Sequence, residues 1–170
     1  MSEFSPDVAW WVTGLTDGEG CFFAYLHQRL HSAPSGQSYT CLDFDAGYQL
    51  ALRGDDLAAV QEVHRFFGCG KVRWKKLQKN HPQALLLIRK VDDLLNVVIP
   101  HFEQYPLHTK KGRDFILWKQ VIEYYASQLS HRKQIVRRYP DKIATVLNLC
   151  EKLKVVRNFS DPNKEAICGI

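Results

Sequence analysis

The sequence predicts an α+β fold: an αββαββα core with one antiparallel sheet whose helices sit on a single face, and extra helices at the C-terminal end. Three observations predict it. Apolar residues recur at helical spacing close to the N-terminus, the stretch Cys41 to Arg53 alternates strictly between apolar and polar, and the patterns succeed one another as helix, strand, strand, helix, strand, strand, helix.

Taken in order, Ser5-Pro6-Asp7 reads as a helix start, since Ser caps well, Pro is tolerated at the first helical position and Asp suits the positive end of the dipole. The helix is expected to run to about Thr16. Val8, Trp11, Val12 and Leu15 then form an apolar face for the protein's own core, and Trp10, Thr13, Gly14 and Asp17 form a second face. Small residues at successive turns let two helix backbones approach closely, so this second face reads as a helix-to-helix contact. Gly18 and Gly20 are expected to end the helix, and an aromatic-rich strand follows from Cys21 to His27.

A loop over Ser32 to Ser38 leads to the second strand, Cys41 to Arg53. There Leu42, Phe44, Ala46, Tyr48, Leu50 and Leu52 share one face, while Asp43, Asp45, Gly47, Gln49 and Ala51 share the other. Gly54-Asp55-Asp56 starts a helix carrying Leu57, Val60, His64 and Phe67, closed by Gly68-Cys69-Gly70. Lys71 to Leu77 and Ala84 to Lys90 read as a strand pair around Asn80-His81-Pro82. Asp92 to Phe102 is a helix interrupted at Pro100. Lys111 to Leu129 and Pro140 to Val156 are the C-terminal helices, so residues 1–156 form the expected domain and residues 157–170 a loose tail.

Composition narrows the function classes. A chain of 170 residues with 45% hydrophobic residues suits one globular domain, and 23 Lys+Arg against 18 Asp+Glu suits a polyanionic partner without naming one. The five cysteines are odd in number and form no C-x-x-C pair, which argues against a disulfide framework or a zinc knuckle. No apolar run approaches the ~18 residues of a membrane span, and the first residues lack a signal-peptide pattern. An intracellular protein with no membrane partner and no small-molecule substrate is expected. No second copy of the N-terminal helix pattern is visible.

The nine residues Val12-Thr13-Gly14-Leu15-Thr16-Asp17-Gly18-Glu19-Gly20 resemble the motif of the LAGLIDADG homing endonucleases. Together with Phe66-Phe67-Gly68-Cys69-Gly70-Lys71-Val72 after the second helix, the chain is similar to single-motif members of that family over roughly Val8 to Val156. The resemblance implies a saddle-shaped sheet, motif helices of two subunits packed through Thr13 and Gly14, and site-specific cleavage of double-stranded DNA by a homodimer. It also implies a staggered cut in a long, nearly palindromic target. An intron RNA maturase, or a DNA-binding regulator without cleavage, is the alternative. An intact acid at Glu19 argues against both.

By that resemblance Glu19 is the metal ligand, the Gly18 carbonyl a further ligand, and Asp17 a support for the turn. Phosphodiester hydrolysis independently calls for hard divalent ions held by carboxylate and backbone oxygens, for which Mg2+ is the natural choice. The family places a basic residue near Pro106 to Lys111; Lys111 fits by spacing, with Lys110 as the alternative. Two family positions depart: the polar residue ending the second strand is Leu52, a basic position a turn later is Asp56, and Arg53 is the substitute on hand.

The DNA surface follows from strand parity. Asp43, Asp45, Gly47, Gln49 and Ala51 face outward, and Lys71, Arg73 and Lys75 alternate as a basic stripe. Parity with Glu19 sends Cys21, Phe23, Tyr25, His27 and Arg29 to the same side. Phe23 is awkward there unless it meets thymine methyls. Asp43 and Asp45 repel phosphate, so they accept from cytosine or stand by.

Overall fold

In the computed structural model, which describes residues 5–76, 82–128 and 140–157, the first helix is α1, Pro6–Glu19. Pro6 takes the first helical position as expected, but Ser5 caps with its backbone rather than its hydroxyl: its carbonyl accepts from the N–H groups of Val8 and Ala9. The helix passes through Gly18 and ends only at Gly20, whose extended backbone starts the next strand. A Cβ on Gly20 would lie 2.7 Å from the Thr16 carbonyl, so the chain turns from helix to strand within one residue only because that residue is bare.

Strand β1, Gly20–Ser32, pairs antiparallel along its whole length with β2, Ser38–Arg53, from Gly20 opposite Leu50 to Ser32 opposite Ser38. A short 3₁₀ turn, Gly54–Asp56, leads into α2, Leu57–Phe67, which closes on Gly68 in the left-handed conformation. Strands β3, Lys71–Lys75, and β4, Gln83–Ile88, follow, and the sheet order is β1-β2-β4-β3. The connection expected around Asn80-His81 lies outside the described residues. The α+β architecture with a single antiparallel sheet is therefore as the sequence predicts.

The region expected to break at Pro100 is helical throughout. It begins as α3, Val91–Asp93, widens into a π-helical turn over Leu94–Val98, and resumes as α4, Ile99–Gln104. Pro100 has no N–H to donate, and its ring crowds the carbonyl four residues back; the wider turn before it relieves both problems. The last two helices are α5, Lys111–Gln128, and α6, Pro140–Arg157. Apart from Arg157, which ends α6, the expected tail lies outside the described residues.

One core joins these elements. Ala46, Tyr48 and Leu50 of β2, Phe22 and Ala24 of β1 and Ala84, Leu86 and Ile88 of β4 are buried on one face of the sheet, as strand alternation requires. Phe22 meets the rings of Tyr48, Phe102, Phe115 and Trp118 within 5.6 Å, tying the sheet to α4 and α5. Burying side chains of this size is worth ~1.5–3 kcal/mol each, which makes this face the main source of stability. Helix α6 adds Val146, Cys150 and Leu153. The opposite face of the sheet keeps its side chains partly exposed.

Candidate active site and nucleic-acid interface

The end of α1 carries the acid. Glu19 is its last residue and is exposed, so the carboxylate is held on a rigid helix rather than on a loop. Beside it the Lys111 ammonium donates to the carbonyl oxygens of Gly18 at 2.6 Å and Thr16 at 3.2 Å. These carbonyls are among the last of the helix, where the dipole is negative, so a cation is stabilised there. Partial burial pulls the lysine's pKa below its ordinary value, against the opposing pull of Glu19, Asp17, Cys21 and Asp114. Lys110 immediately precedes α5, and its side chain is exposed; the contact to α1 is made by Lys111.

Asp17 sets where Lys111 stands. Its carboxylate accepts from the His108 N–H at 2.8 Å, the Thr109 N–H at 3.2 Å and the Thr109 hydroxyl at 2.8 Å. Burial raises its pKa, but these hydrogen bonds together outweigh that and hold it below the usual value. The loop leading into α5 is thus tied to α1 two residues before Glu19. Asp17 is turned toward its own chain, in place of the helix-to-helix face expected for it.

The expected faces of α1 need correcting. Thr13 is 1% exposed: its hydroxyl donates to the Tyr105 carbonyl at 3.1 Å, so its oxygen accepts from Nε2 of buried His101 at 3.2 Å. A small polar residue reads as a contact surface, and here its hydrogen-bonding partners come from far along the chain. Conversely Trp11, expected in the core, is 41% exposed, and the core stripe runs through Ala9, Val12, Thr13 and Thr16. Trp10 is exposed on one side and packs against the rings of Tyr105 and His108 on the other. Gly14 is fully open: a Cβ there would meet nothing within 4 Å. Beyond Pro6 and Asp7 at its start and Glu19 at its end, the open surface of α1 is therefore Trp10, Trp11, Gly14 and Gly18.

The uncovered face of the sheet is read off the register. Cys21, Phe23, Tyr25 and His27 lie opposite Gln49, Gly47, Asp45 and Asp43, and Gln49 and Ala51 lie opposite Leu87 and Leu85. Those leucines pair in turn with Lys71 and Arg73, and Gln83 with Lys75. The basic side chains of β3 are exposed, while the residues of β1, β2 and β4 on this face are half-buried or exposed, Gly47 excepted. Arg29 lies on the same β1 parity, but its side chain lies outside the described residues.

Phe23 has a structural task. Its ring covers Gly47, where a Cβ would lie 2.8 Å from the ring and 2.5 Å from the Ile88 carbonyl. Asp45 is engaged inside the chain: Arg89 pairs with one carboxylate oxygen, and the Tyr25 hydroxyl donates to the other at 2.9 Å. That hydrogen bond, with some burial, raises the Tyr25 pKa. Asp45 is thus a holder, and Arg89, which the sequence reading missed, joins Tyr25 on this face. Leu52 packs toward the core. The polar side chains that flank the continuation of Glu19 across the register are instead Gln49 and Arg53, the latter paired with Asp55 at 2.9 Å.

Among the described residues no three His, Cys, Asp or Glu side chains gather to hold a metal, and no helix is long and apolar enough to cross a membrane. The oxygen donors at the end of α1 are the Glu19 carboxylate and the Gly18 carbonyl.

Comparisons with known proteins converge. The family model described as LAGLIDADG endonuclease matches residues 12–122. A "Probable intron-encoded DNA endonuclease 1" of Mycosarcoma maydis is 26% identical over 113 residues, 66% of this chain and 37% of that protein. An "Uncharacterized 50.9 kDa protein in ND4 intron 1" of Podospora anserina is 32% identical over 117 residues, 66% of this chain and 23% of that protein. The chain thus spans well under half the length of these curated relatives. The crystal structure of the homing endonuclease I-TnaI superposes with a TM-score of 0.65 at 25% identity, covering 92% of this chain and 97% of that one. The meganuclease I-SmaMI, bound to uncleaveable DNA, shares the fold with a TM-score of 0.67 at 19% identity, over 90% of this chain and 45% of that one.

Proposed function

This chain belongs to the LAGLIDADG endonuclease family, and from that premise we propose that it is a site-specific DNA endonuclease. It acts as a homodimer, uses divalent Mg2+, and makes a staggered double-strand cut in a long, pseudo-palindromic target. The observation that carries this is the exposed Glu19 at the end of α1, beside the Lys111 ammonium and adjoining the open face of the sheet.

The donor set fits a hard divalent ion once the Lys111 ammonium, which here donates to the Gly18 carbonyl, turns from it toward the phosphate. Glu19 and the Gly18 carbonyl supply oxygens of the kind Mg2+ takes, too few for a closed site, which leaves positions for water and phosphate oxygens. Such an ion would activate the attacking water and offset charge on the scissile phosphate. The chain's own residues do the rest. Asp17 fixes the approach to α5, Lys111 presents a cation to the phosphate from the end of that approach, and Gln49 and Arg53 order the water near it. Lys71, Arg73, Lys75, Tyr25, His27, Arg29 and Gln49 bind DNA along the sheet, Asp43 accepts from a base, and Asp45 holds Arg89 and Tyr25 in place.

One chain brings one Glu19, and a double-strand cut needs two. The open stripe of Trp10, Trp11, Gly14 and Gly18 is where a second α1 docks, since no described residue beyond its own helical turn comes within 4 Å of a Cβ placed on Gly14. An intracellular location and an intron setting agree with the intron-encoded relatives. Incubating the protein with a randomised duplex library and Mg2+, then sequencing the ends of cut molecules, tests the assignment. A shared, nearly palindromic site with staggered ends is expected. Intact DNA at every site, or cuts without sequence preference, would overturn it.

A further inference from the structure

The uncovered sheet face mixes aromatic, acidic and amide side chains along β1 and β2, is basic along β3, and along β4 carries Leu85 and Leu87 between Gln83 and Arg89. Alternation places Ala84, Leu86 and Ile88 in the core at 0% exposure and leaves Leu85 and Leu87 on the other side, half-buried. Leu87 lies between Gln49 and Lys71, and Leu85 between Ala51 and Arg73. One leucine on a partly open strand face is ordinary, and its half-exposed apolar surface gains little until something covers it. Here two occur in succession, in the middle of the sheet and beside two basic side chains that hold a polyanion against them. The only apolar group that the major groove of B-DNA offers is the thymine C5-methyl.

On the DNA reading above, we infer that Leu85 and Leu87 are specificity residues that select two thymine-bearing base pairs in each half-site through the thymine methyls. Residues two apart on a strand are ~6.6 Å apart, close to twice the ~3.4 Å rise of a base pair, so the two selected pairs stand two steps apart. Arg73 and Lys71 hold the backbone or an adjacent guanine and fix the register. The leucines add no hydrogen bond and discriminate by methyl burial alone.

Deoxyuridine removes that methyl and leaves every hydrogen-bonding edge unchanged. The probe is a duplex carrying the site recovered from the randomised library, with each thymidine replaced in turn by deoxyuridine, and the readout is equilibrium binding. In each half-site two replacements, two base pairs apart, are expected to weaken binding about fourfold each. In Leu85→Ala with Leu87→Ala, both leucines being half-exposed, the chain keeps its circular dichroism and binds the thymidine and uridine duplexes alike. Specific binding with no uridine-sensitive position, or a penalty that persists in the double variant, overturns the inference and leaves the endonuclease reading standing. Failure to recover any preferred site overturns both.

Discussion

The Lys111 ammonium rests on carbonyls at the end of α1, one of them the neighbour of Glu19, so a single side chain couples the helix end to the proposed chemistry. Replacing it by an apolar residue of similar length, Lys111→Met, removes both the favourable charge at the helix end, worth ~0.3–1 kcal/mol, and the burial cost that lowers its pKa, so thermal unfolding is expected to change little. Cleavage is expected to fall by at least tenfold while target affinity changes little, because the lost cation acts on the phosphate in the transition state. Equal losses in binding and cleavage would place Lys111 among ordinary DNA contacts instead. Spacing preferred Lys111 over Lys110 for the basic position that the family resemblance implies, but the contact that sets Lys111 beside the end of α1 was not legible: it depends on how Asp17 positions the preceding loop, a contact between residues about 90 apart.

Among the elements, β2 and α1 show what a pattern can and cannot tell. The alternation of β2 places Ala46, Tyr48 and Leu50 in the core because a strand has only two faces. A helix offers a continuous surface, and α1 is covered on one side by the sheet and on another by Tyr105 and His108, so Thr13 is buried and Trp11 is not. Nothing local in the sequence announces Tyr105 as a partner. Asp17→Ala removes three hydrogen bonds to the approach to α5 and is expected to cost ~1–3 kcal/mol. It should also lower cleavage through displacement of Lys111, and Asp17→Asn, which keeps an acceptor, should restore part of both. On the sheet, Gly47→Ala presses a methyl group on the Ile88 carbonyl and on the Phe23 ring, with an expected loss of ~1–3 kcal/mol in a denaturant titration. An unchanged midpoint would mean that the two strands can separate there at no cost.

For the molecule as a whole, buried His101 makes stability depend on pH. Burial lowers its pKa to about 4 from an ordinary 6.5, so between those values the unfolded chain binds the extra proton and the folded one does not. Stability is then full above pH 6.5 and falls toward pH 4, by about 3 kcal/mol at most. Asp17, held low, adds its own loss only as the pH drops below the ordinary carboxylate value of 3.8. His101→Gln is expected to flatten the upper window and leave the lower one. The pairing of two chains is testable at the same scale. A Cβ on Gly14 lies more than 4 Å from every described residue beyond its own helical turn, so Gly14→Ala should leave unfolding unchanged or slightly later, while the larger Gly14→Leu is expected to give a monomer on gel filtration and to lose cleavage. The αββαββα order, the single-face core and the acid at Glu19 were all legible in the sequence, because each is set by local pattern. The holders Asp45, Arg89, Thr13 and His101 were not, because each is defined by a distant partner. The central claim is that Glu19 supplies the chemistry and the sheet supplies the address. Its most direct test compares wild type and Glu19→Gln on one recovered target in Mg2+, measuring binding and cutting on the same samples. Unchanged affinity with cutting abolished is the predicted result; a Glu19→Gln protein that cuts as wild type does would contradict the account.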